Sequence, residues 1–331
     1  MSAPAAGRSQ DGRRAAGSGS RARLRHAIGL AGLFTFASLT PVPGYAADAE
    51  RTIQIDGLER TYVLHVPSSA KSRSSIPLVV VLHGGGGNAA AAAKQTRFNQ
   101  EASKQGFAVA YPNGTDRARP VMNLPGKKGR LTWNAGGCCG YAMENGVDDV
   151  AFIRAMVEAI AREYPIDRRQ IHAVGMSNGA MMAYRLACEA SDVFAAIGAV
   201  SGPMVAQRCV PKNPVSIIHI HGTDDGYVPD KGGVGPKYRA TNYPSVQDSI
   251  SFWTGIDGCK QEPTRSEPAP GVRLLEYAGC RGAADVSYYS IEGGGHSWPG
   301  GDRMAFFLDA PSKAIAATPL IWQFFAQHPR K

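Results

Sequence analysis

The segment that most constrains the fold lies near the middle of the chain, where an apolar run leads through a serine flanked by glycines into a helical pattern. Ile171 to Val174 is typical of a buried strand, and Asn178 to Ala190 is typical of a helix. Between them, Gly175, Ser177 and Gly179 form the pattern G-x-S-x-G. A strand that turns sharply into a helix is a unit of sheets covered by helices.

Apolar strands and helical stretches alternate along the rest of the chain from about residue 50. Leu78 to Leu82 is continuously apolar, which indicates a strand buried on both faces, and Pro263 to Pro270 is expected to be only a loop. The alternation predicts an α/β fold with a mostly parallel central sheet, helices on both faces and no separate lid domain. Further strands are predicted at 52–55, 60–66, 107–111, 195–200, 215–220, 272–277 and 286–291, and further helices at 98–105, 147–164, 244–256 and 314–327.

The first fifty residues differ in composition from the remainder. An arginine-rich start precedes an apolar run from Ala27 to Leu39, which is followed by prolines and by the cleavage-like pattern Gly44-Tyr45-Ala46. The run has 13 residues, which is short for a membrane span. We therefore expect residues 1–46 to be a signal peptide and residues 47–331 to be a single catalytic domain, secreted to the medium or the periplasm without a stable membrane anchor.

The basic charge of the chain lies largely in that leader. The full sequence has 36 Lys and Arg against 27 Asp and Glu, a net charge of +9. Residues 1–46 hold six of the basic residues and one of the acidic ones, which leaves +4 for the remainder. No dense basic cluster remains in that sequence, so we expect no nucleic-acid partner.

All six cysteines follow the leader, and an even number in an exported protein favours disulfides. Cys259 with Cys280 is the favoured pair because the loop between them is short. Cys138 and Cys139 are neighbours, and we expect each to have a separate partner because a ring between adjacent cysteines is strained.

The chemistry centres on Ser177. A serine hydroxyl is a weak nucleophile that needs an adjacent base, which a carboxylate orients. G-x-S-x-G between strand and helix is the nucleophile elbow of the α/β-hydrolase fold, in which the chain order is Ser, then Asp or Glu, then His. His296 and His328 fit this order. His296 is preferred, because the glycine-rich loop from Gly293 to Gly301 follows a strand and can bring the imidazole to the strand ends.

Two neighbouring carboxylates are candidates for the acid. Asp224 and Asp225 follow the strand that ends near Ile220, and the spacing alone leaves the choice between them open. His219 and His221 precede them, which raises the alternative of a metal site. Alternate residues on a buried strand more often face the core, so no metal is predicted.

A third glycine-rich segment can supply donors for an oxyanion. The strand ending at Leu82 runs into His83-Gly-Gly-Gly-Gly-Asn88, in the place where the oxyanion loop follows an early strand. The run lacks the G-K-[ST] ending of a phosphate loop. The predicted donors are the amides of Gly85 or Gly86 and of Asn178.

Several motifs occur together in order between residues 50 and 325. They are His83-Gly-Gly-Gly-Gly-Asn88, Tyr111-Pro-Asn-Gly-Thr115, Trp133-Asn134 with Cys138-Cys-Gly140, Val147-Asp-Asp149, Gly175-Met-Ser-Asn-Gly179, His221-Gly-Thr-Asp-Asp-Gly-Tyr-Val-Pro229 and Gly295-His-Ser-Trp-Pro-Gly300. This ordered set resembles the polyhydroxybutyrate depolymerase family, which is close to the family 1 carbohydrate esterases, including feruloyl and acetylxylan esterases.

The resemblance implies an α/β-hydrolase fold, an extracellular or periplasmic location and no cofactor. It implies Ser177 as nucleophile, His296 as base and Asp225, four residues after His221, as the acid. Family members that degrade crystalline polyester often carry a linker and a polymer-binding domain, and this sequence shows neither.

These observations predict a serine carboxylic-ester hydrolase that acts on hydroxyalkanoate esters or oligomers, with Trp133 and Trp298 as walls of the substrate site. The alternative substrates are feruloyl or acetylxylan esters. Acyl transfer and peptide hydrolysis use the same fold, and a non-catalytic exported polymer-binding protein is a more remote alternative.

Overall fold

The computed structural model describes residues 48–331 apart from 71, 117–129, 238, 240, 261, 305 and 307. The predicted signal peptide, residues 1–46, lies outside the described residues. Within them, no helix combines the length and apolar character that crossing a membrane requires.

A ten-stranded sheet, in the order β1-β2-β4-β3-β5-β6-β7-β12-β11-β10, forms the centre of the described fold. The six strands from β4 to β12 in that order run parallel, and antiparallel pairs close both edges. The strands are β1 (Ala49–Ile55), β2 (Leu58–His65), β3 (Ile76–Leu82), β4 (Ala108–Pro112), β5 (Ile166–Met176), β6 (Ala196–Val200), β7 (Ser216–Gly222), the short pair β8 (Gly233–Val234) and β9 (Asn242–Tyr243), β10 (Thr264–Ala269), β11 (Val272–Tyr277) and β12 (Val286–Ile291).

Helices cover both faces of this sheet. The helices are α1 (Ala89–Thr96), α2 (Phe98–Gln105), α3 (Gly140–Glu144), α4 (Asp149–Glu163), α5 (Asn178–Glu189), α6 (Val246–Ile256) and α7 (Ala317–Gln327). On β3, Leu78, Val80 and Leu82 join the core formed with α4, α5 and α6, while Val79 and Val81 join the core formed with α1, α2 and α7. The continuous apolar run therefore fills two cores at once, which confirms the predicted fold class.

Two predictions about connecting segments need correction. The stretch from Pro263 to Pro270 is not only a loop, because β10 pairs there with β11 at the exposed edge of the sheet. Proline is tolerated at an edge because its missing N–H faces away from the partner strand. The connection after β4 contains α3, and α1 was not predicted; Asn88 caps α1 by accepting a hydrogen bond from the Ala91 amide.

The six cysteines form three disulfides. Cys259–Cys280 is present as predicted, and Cys188–Cys209 ties α5 to the loop before β7. Cys138 and Cys139 are bonded to each other, so the prediction of separate partners is wrong. The other four cysteines are bonded in two pairs, so each of these two neighbours has only the other as a partner.

Candidate active site

Ser177 occupies a sharp turn between β5 and α5. Its backbone has φ of 56° and ψ of −123°, in a region that side chains other than glycine rarely adopt. Gly175 and Gly179 must be glycines, because a Cβ at either position would clash with neighbouring backbone atoms. A Cβ at Gly175 would lie 2.3 Å from the carbonyl carbon of Gly179, and one at Gly179 would lie 2.4 Å from the Leu82 oxygen. The half-buried Ser177 is thus raised at the end of the strand by backbone packing.

Asp225 and His296 lie in direct contact beyond the ends of β7 and β12. His296 Nδ1 is 2.7 Å from Asp225 Oδ2, and a carboxylate can only accept, so Nδ1 carries the hydrogen and donates it. This leaves His296 Nε2 as the basic nitrogen when the ring is neutral. His296 is partly accessible, with its side chain 11% exposed.

The structure also separates the two neighbouring aspartates. Asp224 is exposed and accepts from the Thr223 hydroxyl, whereas Asp225 is buried. Asp225 Oδ1 accepts the amides of Tyr227 and Val228 at 2.9 and 2.8 Å. Burial raises the pKa of Asp225, but the hydrogen bonds from His221 and His296 together lower it by more than burial raises it. The pKa of Asp225 therefore lies well below the usual range. The carboxylate is therefore ionised and held in one orientation.

Ser177, Asp225 and His296 all follow carboxyl ends of parallel strands, at one edge of the sheet. No hydrogen bond joins the Ser177 hydroxyl to His296 in the described part of the chain, and such contacts are often long before a substrate binds. His328, the other candidate base, lies at the end of α7, where it contacts Asp285 and the Phe324 carbonyl. Of the two histidines that fit the chain order, the structure thus places His296, and not His328, on Asp225.

The glycine-rich loop after β3 lies against the start of α5. A Cβ built on Gly85 would lie 3.7 Å from the Asn178 Cβ, and the Gly85 amide has no acceptor among the described residues. The amide of Asn178 opens α5, where helical N–H groups lack internal acceptors. The Gly86 amide instead donates to the Leu131 carbonyl at 2.8 Å, so the prediction of Gly86 as a free donor is wrong.

Comparison with known proteins gives one family and a set of related enzymes. The family described as Esterase PHB depolymerase matches residues 60–218. Feruloyl esterase B of Piromyces equi is 26% identical over 245 residues, which are 72% of this chain and 42% of that protein. Probable feruloyl esterase C of Aspergillus clavatus is 28% identical over 276 residues, 81% of this chain and 87% of that protein.

Over residues 60–218, the chain is similar to the esterases of the PHB depolymerase family. The acetyl xylan esterase of Aspergillus awamori shares its fold, with a TM-score of 0.56 and 16% identity over 84% of this chain and 99% of that one. The predicted resemblance to this family and the predicted fold are confirmed, and the relatives that are named as esterases confirm the prediction of a carboxylic ester hydrolase. The chain spans less than half the length of the Piromyces enzyme.

Neither predicted tryptophan wall faces a substrate in this esterase. Trp133 and Trp298 are both 0% exposed, and both indole N–H groups donate within the protein. Trp133 Nε1 donates to the His83 carbonyl at 2.9 Å, and Trp298 Nε1 donates to the Thr318 hydroxyl at 3.0 Å. Both predictions are wrong, because the rings pack the loops that surround the site.

Trp133 nevertheless helps to build the site through its backbone. The Asn178 side chain accepts from the Trp133 amide at 2.7 Å and donates to the Trp133 carbonyl at 3.0 Å. Asn178 therefore fixes the loop after β4 to the first residue of α5. The same loop is held from the other side by the buried pair of Arg60 and Asp149, whose oxygens are 2.6 Å from the guanidinium and 2.8 Å from the Asn134 amide.

Asp309 is a site residue that the sequence did not reveal. Its Oδ2 accepts the backbone amide of His296 at 2.9 Å, and its Oδ1 lies 2.6 Å from Lys237 Nζ. A Cβ at Gly295 would lie 2.7 Å from Asp309 Oδ2, so the glycine before His296 makes room for this carboxylate. Gly295 was visible in the sequence, but nothing there pointed to its partner in a distant loop.

A small apolar cluster borders the esterase site where tryptophans were expected. Its buried members are Ala135, Cys138, Met181, Val228 and Tyr243, with Cys139, Val205 and Tyr227 packed against them. The Tyr227 ring lies 5.2 Å from the His296 ring, which links the cluster to the base. No group of three potential metal ligands occurs within the described ranges.

Proposed function

We propose that this chain hydrolyses carboxylic esters through a triad of Ser177, His296 and Asp225. The single observation that carries the proposal is the contact between His296 Nδ1 and the ionised Asp225 at 2.7 Å, at the same sheet edge as a serine in a strained strand-to-helix turn. The family match supports the same reaction class. A base oriented in this way suits proton transfer from a serine hydroxyl.

The mechanism follows from these orientations. His296 Nε2 takes the Ser177 proton as Oγ attacks the ester carbonyl carbon, and the carbonyl oxygen becomes an oxyanion. The amides of Gly85 and Asn178 are the proposed donors to that oxyanion. His296 then returns the proton to the departing alkoxide, which leaves an acyl group on Ser177. A water molecule, deprotonated by His296, attacks this acyl group and releases the acid.

Hydroxyalkanoate esters or short oligomers are the proposed substrates. The family match to PHB depolymerases supports this class, and the cluster that borders the site is apolar, in keeping with an aliphatic acyl chain. We further propose that residues 1–46 are removed and that the enzyme acts outside the cytoplasm, in keeping with its three disulfides.

A second substrate class is favoured by the comparisons. Two relatives are named feruloyl esterases, and a phenolic acid could stack on Tyr227 beside the base. A panel of hydroxybutyrate oligomers, methyl ferulate and acetylated xylan separates the classes. The proposal predicts the highest kcat/KM for the hydroxybutyrate oligomers, and a clear preference for methyl ferulate or acetylated xylan would replace it.

The reaction class is tested with p-nitrophenyl butyrate. Ser177→Ala is expected to lower kcat by about 10⁴-fold or more, because nucleophile and base act as a unit. Ser201→Ala is the matched control, since Ser201 directly follows the neighbouring strand β6 and also has a positive φ, of 53°. Hydrolysis that survives Ser177→Ala, or that is lost equally in Ser201→Ala, contradicts the assignment of the nucleophile.

A further inference from the structure

Behind Asp225, three buried side chains form a continuous line of hydrogen bonds. Tyr184 Oη is 2.8 Å from His219 Nδ1, and His219 Nε2 is 3.1 Å from His221 Nδ1. His221 Nε2 is 2.8 Å from the Val228 carbonyl and 3.3 Å from Asp225 Oδ2. Tyr184 and His219 are 0% exposed and His221 is 1% exposed. The line ends on the same carboxylate oxygen that contacts His296.

The direction of each hydrogen bond follows from the chemistry of the end groups. The Val228 carbonyl and the Asp225 carboxylate only accept, so His221 Nε2 must carry a hydrogen. With both rings neutral, His221 Nδ1 then accepts from His219 Nε2, and His219 Nδ1 accepts from the Tyr184 hydroxyl. Burial lowers the pKa of His219 well below the usual range, which favours its neutral form. Every donor in the line therefore points towards Asp225.

The line also connects two parts of the active site. Tyr184 lies on α5, the helix that begins directly after Ser177, and His219 and His221 lie on β7, which leads to Asp225. Alternate residues of a strand share one face, so both imidazoles lie on the α5 side of β7. The hydrogen bonds thus connect α5, which begins directly after Ser177, to the loop that carries Asp225.

We infer that His221 and His219, anchored by Tyr184, are positioning residues that orient Asp225 towards His296. The inference rests on the proposed triad. His221 donates to Oδ2, the oxygen that accepts from His296, while the Tyr227 and Val228 amides hold Oδ1. The carboxylate is thus restrained at both oxygens. None of the three residues in the line touches the substrate.

Other charged or titratable groups also face this region and set the background for any pH measurement. His296, Lys237 and Asp309 act on Asp225 from the accessible side, and Tyr288 lies beside His219, with ring centroids 5.7 Å apart. Removing a donor from the buried side leaves more negative charge on the oxygen that His296 shares. The acid limb of the kcat/KM profile is then expected to move to higher pH, because Asp225 holds the His296 proton more strongly.

The first test compares two tyrosines that both border His219. Tyr184→Phe removes the hydroxyl that donates to His219 and keeps the ring, whereas Tyr288→Phe removes a hydroxyl outside the line. We expect Tyr184→Phe to lower kcat about threefold to tenfold and to move the acid limb upwards by about half a pH unit, with little change in KM. Tyr288→Phe is expected to leave both unchanged.

The second test removes and restores the donor to Asp225. His221→Leu is expected to lower kcat by about 30-fold or more, and His221→Gln, whose amide can donate from nearly the place of Nε2, should recover a large part of that loss. Equal losses in the two variants, or a lower thermal stability with an unchanged pH profile in both Tyr184→Phe and His221→Leu, would show a purely structural role and overturn the inference.

A measurement without catalysis separates this inference from the proposed function. In the Ser177→Ala protein, imidazole nitrogen NMR should show His219 and His221 both neutral with hydrogen on Nε2, and the His296 Nδ1 proton signal should move on Tyr184→Phe but not on Tyr288→Phe. A hydrogen on Nδ1 of His221, or no response at His296, overturns the line. Ester hydrolysis that persists in Ser177→Ala would instead contradict the proposed triad. The NMR result would still report on the hydrogen bonds from Tyr184 to Asp225, because it does not depend on catalysis.

Discussion

Asp309→Ala should weaken the proposed catalysis through the position of His296 rather than through its chemistry. Asp309 Oδ2 accepts the His296 amide at 2.9 Å, and the carboxylate side chain is 21% exposed. A hydrogen bond to a charged acceptor contributes about 1.5–3 kcal/mol in buried surroundings, so about 1–2 kcal/mol is reasonable for this half-buried group. If that energy is lost in placing His296, kcat falls by about 5-fold to 30-fold.

Two companion variants separate the hydrogen bond from the ion pair. Asp309→Asn keeps an oxygen that can accept the His296 amide but loses the charge that pairs with Lys237. Lys237→Met removes only the ammonium and keeps the alkyl chain that packs near Gly226. Because partly exposed ion pairs contribute about 0–1 kcal/mol, both variants should stay within about fivefold of the parent.

The assay is kcat and KM for p-nitrophenyl butyrate, with thermal unfolding measured on the same samples. We expect kcat for Asp309→Ala to fall at nearly constant KM, to a value well below that of both companions. A parental kcat in Asp309→Ala, or an equal fall in Lys237→Met, would refute a positioning role for Asp309.

Three further variants test other parts of the site and core. Asp225→Asn should lower kcat about 10³-fold or more while Asp224→Asn stays within about twofold, and kinetics that reverse this order would move the acid to Asp224. Burial raises the pKa of Asp257 from 3.8 to about 6, against smaller lowering by the Val215 amide and Arg281. The contribution of this one group to stability is therefore fully present below about pH 4 and is lost as the pH rises through about 6. Asp257→Asn should therefore stabilise the protein by about 1–2 kcal/mol at pH 7 and by almost nothing at pH 4, as chemical denaturation at the two pH values would show; equal effects at both contradict the burial argument. Trp298→Phe should lower the free energy of unfolding by about 1–2 kcal/mol with KM unchanged, and a large rise in KM would restore Trp298 as a substrate wall.

The parts of this fold that the sequence predicted are those set by local pattern. Continuous apolar runs such as Leu78 to Leu82 identify central parallel strands, and glycines at fixed offsets around Ser177 identify the turn. In each case the physical cause lies within a few residues of the signal. Asp225 was selected over Asp224 only through the family resemblance, and the structure adds the reason, since one carboxylate is buried against His296 and the other is exposed.

The features that were missed depend on contacts between distant segments. Asp309 meets His296 across a loop, and the Gly86 amide is taken by the carbonyl of Leu131. Trp133 and Trp298 are of a residue type that often lines substrate sites. Whether such a ring lines a cleft or fills a core depends on which segments pack over it, and the sequence does not show this. The bond between Cys138 and Cys139 likewise depends on distant segments, because the folded chain pairs the other four cysteines with each other.

The central claim is that Ser177 becomes covalently acylated. A fluorophosphonate probe, which reacts with activated serines, followed by peptide mass spectrometry tests it directly, with inhibition of p-nitrophenyl butyrate hydrolysis followed in parallel. We expect one labelled peptide, modified at Ser177, with loss of activity in proportion to labelling, no label in Ser177→Ala and slower labelling in Asp225→Asn. A label on another residue, or full activity in protein labelled at Ser177, would contradict acylation at Ser177.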